Sequence, residues 1–220
     1  MKLLALLCVP VLAVSAHAAV LDFDYTAQAI TTVDAAGLGP LQPVGSGGWI
    51  SQAYGDVAGL VDVSYRYIDA GGLPVSSLQT WATGYDELVY VAWFGSGSGG
   101  DRAQVELASV GGSVVTLNGF SLGSWEGPAP VRVETVRVYE IGQATPVYEF
   151  IGTIGAGNLS NTFTFGALQS ASGFVVEWTS PWWTAIDNLD SSAAAVPEPG
   201  TWALLGLGLA CVVGAARRRR

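Results

Sequence analysis

Carboxylates, hydroxyls and aromatic rings are nearly all the chemistry this chain offers. The only histidine is His17, and the only cysteines are Cys8 and Cys211. All three fall in terminal segments that read as lying outside the folded body. A body without His or Cys has no disulfide, no Cys/His zinc site, no thiol nucleophile and no histidine base. Four aspartates, Asp22, Asp24, Asp187 and Asp190, stand near the two ends of the body. If the first and last strands adjoin, they form a candidate site for Ca²⁺, a hard cation that wants several oxygen ligands. On alternating strands the same carboxylates are solvated faces, and Asp187 also suits tying down a loop. No continuous EF-hand-type loop is present, and no other cofactor is expected.

The tryptophans offer a second chemistry. Trp182 and Trp183 follow Pro181, and Trp49, Trp81 and Trp125 sit in Gly-rich surroundings. Indole faces pack well against the CH groups of a pyranose, so Trp182, Trp183 and Trp125 are candidates for stacking on a sugar. The plain alternative is that they cap the ends of the fold. If the Trp182–Trp183 pair lies on a strand, the two rings point to opposite faces. Glycoside hydrolysis needs only two suitably spaced carboxyl groups, and Glu126, Glu134, Glu140, Glu149 and Glu177 supply candidates. No spacing singles out a pair, and most alternate with Val or Tyr as solvated faces do. The expectation is therefore no catalysis. Gly95-Ser-Gly-Ser-Gly-Gly100 lacks the Lys and Ser/Thr of a phosphate loop and reads as a hairpin.

The elements that must position these residues read as strands. Short runs rich in Val, Tyr, Phe and Thr recur between Gly, Pro, Ser and Asn. Val20–Tyr25 alternates, and Leu60–Tyr67 puts Val61, Val63, Tyr65 and Tyr67 on one face. Glu87–Phe94 is continuously apolar after its first residue, the pattern of a strand covered on both sides. Seven further runs follow, at 102–108, 114–122, 131–141, 147–154, 161–165, 174–179 and 184–189. About ten short strands without a convincing amphipathic helix predict an all-β fold, a β-sandwich or jelly roll. Residues 31–58 are Gly-rich and read as a long loop, and residues 191–196 as a linker. With no disulfide, burial alone must hold the domain together. Seven of the eight Trp lie in the body to supply it.

Charge narrows the function classes. Between Ala19 and Ala195 there are seventeen Asp and Glu against Arg66, Arg102, Arg132 and Arg137. An excess of thirteen negative charges argues against a nucleic-acid-binding body, because counterion release needs clustered Lys or Arg.

Both ends look like addresses. Lys2, the apolar run Leu3–Val14 and then Ser15-Ala16-His17-Ala18 form a secretory signal peptide, with cleavage expected between Ala18 and Ala19. At the other end stand Val196-Pro197-Glu198-Pro199-Gly200, fifteen uncharged residues from Trp202 to Ala216, and Arg217, Arg218, Arg219 and Arg220. At ~1.5 Å per residue, that run covers roughly 22 Å of a ~30 Å hydrocarbon core. Extension toward Gly200 narrows the gap, and a weak transmembrane helix is expected over 201–216. The arginines would remain cytoplasmic as its stop.

A Pro-Glu-Pro motif, a short Leu/Gly/Ala helix and an Arg-rich terminus, in that order, resemble the PEP-CTERM sorting signal of Gram-negative bacteria. The resemblance implies that exosortase, a membrane-embedded cysteine protease or transpeptidase, recognises Pro197, Glu198 and Pro199. It implies release or transfer of the body to the cell surface, alongside exopolysaccharide and biofilm production. Leu21-Asp-Phe-Asp24, Ile50–Tyr65 with its Tyr54-Gly-Asp56, and Trp182–Leu189 with its Ile186-Asp-Asn188 are similar to jelly-roll ectodomains among PEP-CTERM proteins. At fold level they resemble carbohydrate-binding modules. The expected layout is signal peptide 1–18, β-sandwich 19–192, linker with the motif 193–200, transmembrane helix 201–216 and cytoplasmic tail 217–220. The expected partners are exosortase, the membrane through the tail, and extracellular polysaccharide, with a purely adhesive ectodomain as the rival reading.

Overall fold

The computed structural model describes residues 16–23, 47–95, 99–125, 133–155, 159–196 and 199–218. The expectations for 1–15, Asp24, residues 31–46, the centre of the 95–100 hairpin, Glu126, Arg132, Pro197, Glu198, Arg219 and Arg220 lie outside them.

Two antiparallel sheets form the body. The strands are β1 (Ala16–Leu21), β2 (Val61–Ile68), β3 (Pro74–Ser76), β4 (Gln79–Trp81), β5 (Val91–Trp93) and β6 (Arg102–Ser109). They continue with β7 (Ser113–Ser124), β8 (Val133–Glu140), β9 (Tyr148–Thr153), β10 (Asn161–Ser170), β11 (Gly173–Thr179) and β12 (Thr184–Ala195). The first sheet runs β10-β7-β12-β5-β4, with β1 also on β12, and the second runs β3-β2-β6-β11-β8-β9. This all-β sandwich is consistent with a jelly-roll-like fold.

Burial follows the period of two that a half-buried strand imposes. In β2, Val61, Val63, Tyr65 and Tyr67 are all buried, as their alternation predicts. They meet Val105, Leu107, Val136, Val138, Phe174 and Val176 of their own sheet and Val115, Leu117, Phe120, Leu122 and Ile186 of the other. Trp178 is fully buried and satisfies its indole N–H by donating to the Thr184 carbonyl at 2.9 Å. Three of the four body arginines lie on the second sheet and meet carboxylates there. Arg66 reaches Glu106 at 2.8 Å and Arg137 reaches Glu149 at 2.6 Å. The buried Glu177 lies between Arg102 at 3.8 Å and Arg137 at 3.9 Å.

Three expectations need correcting. The run 87–94 yields a strand only at Val91–Trp93, because Asp86 and Tyr90 hold positive φ of 54° and 59° and break the extended chain before it. Residues 191–195 are ladder rather than linker. β12 continues through Ala195, with Ala193 packed in the core and Ala195 paired to Ser113. His17 lies in β1, opposite Ala193, so the described chain includes the only histidine in its sheet. Cleavage after Ala18 would leave β1 with the pairs from Ala19, Val20 and Leu21 to Ser191, Asp190 and Leu189.

The tail folds as one helix, α1 (Pro199–Arg218). Pro199 occupies its first turn, where a missing N–H costs nothing, and Arg217 and Arg218 suit its negative C-terminal end. The expected transmembrane helix is not found: no helix among the described residues is long and apolar enough to cross a membrane. The physical reason is length: the fifteen uncharged residues from Trp202 to Ala216 cover roughly 22 Å as a helix, short of a ~30 Å hydrocarbon core. Only residues 196–198 separate β12 from α1, so the sorting motif begins at the end of the sheet.

Candidate functional site

The first sheet carries the main core on one face and a smaller cluster on the other. In β5, Ala92 faces the main core opposite Ile186, while Val91 and Trp93 alternate outward. Trp81 on β4 pairs directly with Val91 and therefore shares that outer face. Ala185 on β12 floors the cluster, and Tyr85 and Leu88 fold over it from the turns between β4 and β5.

Five aromatic rings then close a circuit. Trp182 meets Trp93 at 5.0 Å and 70°, and Trp93 meets Trp81 at 5.2 Å and 78°. Trp81 meets Trp125 at 5.6 Å and 68°, and Trp125 meets Tyr85 at 5.2 Å and 68°. The Tyr85 hydroxyl completes it by donating to the Trp182 carbonyl at 2.7 Å. Each ring presents its edge to the next one's face, the arrangement that aromatic quadrupoles favour. Burial pushes the Tyr85 phenol well above its ordinary pKa, so it stays a neutral donor. Gly84 permits the closure. Its φ is +97°, and a Cβ there would stand 2.8 Å from the Trp125 ring.

Inside the circuit lies an apolar recess of about 130 Å³, lined by Trp81, Tyr85, Trp93, Trp125 and Trp182. Trp182 is 38% exposed and stands as its most open wall. The indole N–H of Trp93 is buried and has no acceptor among the described residues.

A polar recess of about 440 Å³ lies on the same face of the sheet. Glu87, Leu88, Val89, Ser121, Ser160, Thr162, Asp187 and Asn188 line it. Asp187 stands two residues along β12 from Ala185, about 7 Å at strand rise. Glu87 accepts from the Ser160 backbone N–H at 2.7 Å and from its hydroxyl at 2.6 Å. Burial works to raise the Glu87 carboxyl, but these bonds outweigh it and hold the pKa below the usual carboxylate value. Asp187 accepts from the Asn188 backbone N–H at 2.7 Å and from its side-chain amide at 3.0 Å. Asn188 holds a φ of +50° at the bulge that interrupts β12.

The predicted sugar-stacking residues divide. Trp125 and Trp182 are brought together, but Trp183 does not line the recess. The pair stands in the turn before β12 rather than on a strand, and Trp183 serves through its backbone, accepting from the Trp125 N–H at 2.9 Å. Trp49 packs on Phe94 at 5.1 Å and does not line the recess. Trp93 and Tyr85 were not legible as site residues, though the alternating places of Trp93 and Val91 carried the signal.

Of the candidate Ca²⁺ ligands, Asp22, Asp187 and Asp190 are among the described residues. Among the described residues no three His, Cys, Asp or Glu side chains form a metal-holding group. The β1–β12 pairing ends at Leu21 opposite Leu189, before Asp22. Asp22 accepts from the Tyr54 hydroxyl at 3.3 Å, and Asp190 accepts from the Asn118 amide at 3.1 Å. Of the candidate glutamates, Glu134 accepts from the Thr179 hydroxyl at 2.7 Å, and Arg137 stands between Glu149 and Glu177.

The family model for the PEP-CTERM protein-sorting motif matches residues 195–220. No curated protein and no solved structure matches the chain. The motif covers the residues from the last of β12 through α1 to the terminal arginines. It implies export, processing by exosortase and sorting to the cell surface.

Proposed function

We propose that the β-sandwich is a polysaccharide-binding module delivered to the cell surface by its tail, without catalytic activity of its own. The observation that carries this reading is the aromatic recess beside a polar one on a single sheet face. Sugars have both apolar CH faces and hydroxyl rims, and this surface offers indole to the first and carboxylate, amide and hydroxyl groups to the second. The strongly acidic body favours a neutral glycan over an anionic one. Binding of the full-length protein across a glycan array, compared with Trp182→Ala, tests it. Retained binding in the variant, or no glycan binding at all, rejects the reading.

In the same proposal, a signal peptide cleaved between Ala18 and Ala19 starts export, and Pro197, Glu198 and Pro199 are the residues that exosortase reads. A short, Gly-rich helix is held weakly by a bilayer, which suits a tail that is removed. Glu198→Ala leaves hydrophobicity and Arg217–Arg220 untouched. It should accumulate with its tail intact in a host that has exosortase, while the wild type loses the arginines. Fractionation with antibodies to the body and to a tag after Arg220 reads the outcome, and equal processing of the two rejects the motif as the recognition element.

A further inference from the structure

We infer that signal-peptide cleavage opens a docking strand for exosortase: the edge of β12 that β1 covers, from Ser192 to Ala195, directly before the sorting motif. This rests on the sorting reading above and names the surface by which the same enzyme takes hold. Register is the first observation. β1 lies on this edge with Ala16 opposite Ala194, His17 opposite Ala193 and Ala18 opposite Ser192. Ala19, Val20 and Leu21 pair with Ser191, Asp190 and Leu189. Cleavage between Ala18 and Ala19 removes the first set of pairs and keeps the second. Ala16 and Ala18 are exposed, so their loss bares the edge without opening the core. On its other side β12 stays paired to β7 as far as Ala195 opposite Ser113, and β5 meets β12 only at Ile186. Among the described residues, the segment just before the motif then keeps one neighbour and has one open row of backbone N–H and C=O groups. Such a row is a template for another strand.

Distance is the second observation. Residues 196–198 alone separate β12 from α1, and a stretch that short spans at most roughly 10 Å. An enzyme reading Pro197, Glu198 and Pro199 therefore works against the end of the sheet. The chemistry of the motif is the third. Pro197 and Pro199 have no N–H to give, so the motif holds an extended partner poorly through its main chain. The residues just upstream supply those bonds. An enzyme strand laid antiparallel on Ser192–Ala195 runs on to the motif without a break. Backbone pairing gives affinity and the Glu198 side chain gives specificity, the division of labour of a strand added to a sheet edge.

The test covers the edge again in the mature chain. Thr-His-Thr inserted between Ala18 and Ala19 leaves Ala at both cleavage-site positions and restores a strand opposite Ser192, Ala193 and Ala194. Gly-Pro-Gly at the same place adds equal length but pairs poorly, since Pro cannot donate to the ladder. Full-length wild type and both variants are expressed in a host that has exosortase, and N-terminal sequencing fixes each mature start. Antibodies to the body and to a tag after Arg220 follow tail loss in a pulse-chase. The Thr-His-Thr chain should keep its tail about tenfold longer than wild type, the worth of one net hydrogen bond that the enzyme must displace. The Gly-Pro-Gly chain should lose it at the wild-type rate. Tail loss at one rate in all three chains, or equal retention in both variants, overturns the docking strand while Glu198-dependent processing stands. So does a mature wild-type chain that still carries Ala16–Ala18. A wild-type dimer in mild detergent that the Thr-His-Thr insertion abolishes gives the edge to a second copy and overturns its assignment to exosortase. Equal processing of wild type and Glu198→Ala overturns the sorting reading and this inference with it.

Discussion

Two aromatic clusters on opposite faces of the first sheet use the same packing rule to different ends. On the inner face, Phe120 meets Phe163 at 5.1 Å and Phe165 at 5.8 Å, and Phe150 meets Phe163 edge-to-face at 5.3 Å. On the outer face, four indoles and a phenol meet at 5.0–5.6 Å. The inner group is wedged between two sheets and made of hydrocarbon rings, so its worth is stability. The outer group has one sheet beneath it and turns above it. Its rings prop one another apart around an apolar recess whose most open wall is Trp182. The difference teaches that aromatic density alone does not mark a site. The number of covering layers is what separates the two groups.

The inner cluster should show the larger stability effect. Phe120→Ala empties a fully covered position and should cost about 3–5 kcal/mol in denaturant unfolding. A loss as small as that of a surface substitution would mean the clusters are energetically alike. Trp182→Ala on the outer side should cost less than about 1 kcal/mol yet weaken glycan binding at least tenfold. A large stability loss with unchanged binding would reverse the comparison. Gly84→Ala tests whether the circuit depends on the close approach of Trp125. Strain at φ +97° and a crowded ring should cost about 1 kcal/mol or somewhat more and alter the near-ultraviolet circular dichroism. An unchanged spectrum would show that Trp125 relaxes freely.

The smallest effect concerns Asp56, beside the buried Tyr54–Tyr65 pair of the main core. Burial raises its pKa above 3.8, against the opposing bond from the Val63 N–H and with help from Asp62. The native state therefore holds this proton to higher pH than the unfolded chain does. Its contribution is fully present below pH 3.8 and is lost as pH rises through the raised native value. Asp56→Asn retains an acceptor for Val63 without titrating. The variant should match wild type at pH 3 and exceed it slightly in melting temperature at pH 7. Parallel melting curves at both pH values would remove Asp56 from the account.

Residues that act through near neighbours were legible in the sequence. Alternation of Val61, Val63, Tyr65 and Tyr67 predicted their burial in β2, because strand geometry sends every second side chain to one face. The Pro-Glu-Pro motif, the short helix and the arginines are read along one continuous stretch, so the order of residues is itself the signal. Even there, length limits the helix: fifteen uncharged residues cover roughly 22 Å of a ~30 Å hydrocarbon core. Tertiary structure decided what depends on pairing at a distance. Tertiary contacts, not composition, gave Asp22 and Asp190 separate partners in Tyr54 and Asn118, and pairing with β7 and β1 turned the apparent linker at 191–195 into ladder. The five rings of the recess come from positions 81, 85, 93, 125 and 182. They meet because β12 lies between β7 and β5 and because turns with positive φ fold Tyr85 back over the sheet. Nothing local encodes that meeting: side-chain alternation fixes which face a residue takes, while strand order and turn geometry fix which residues share it.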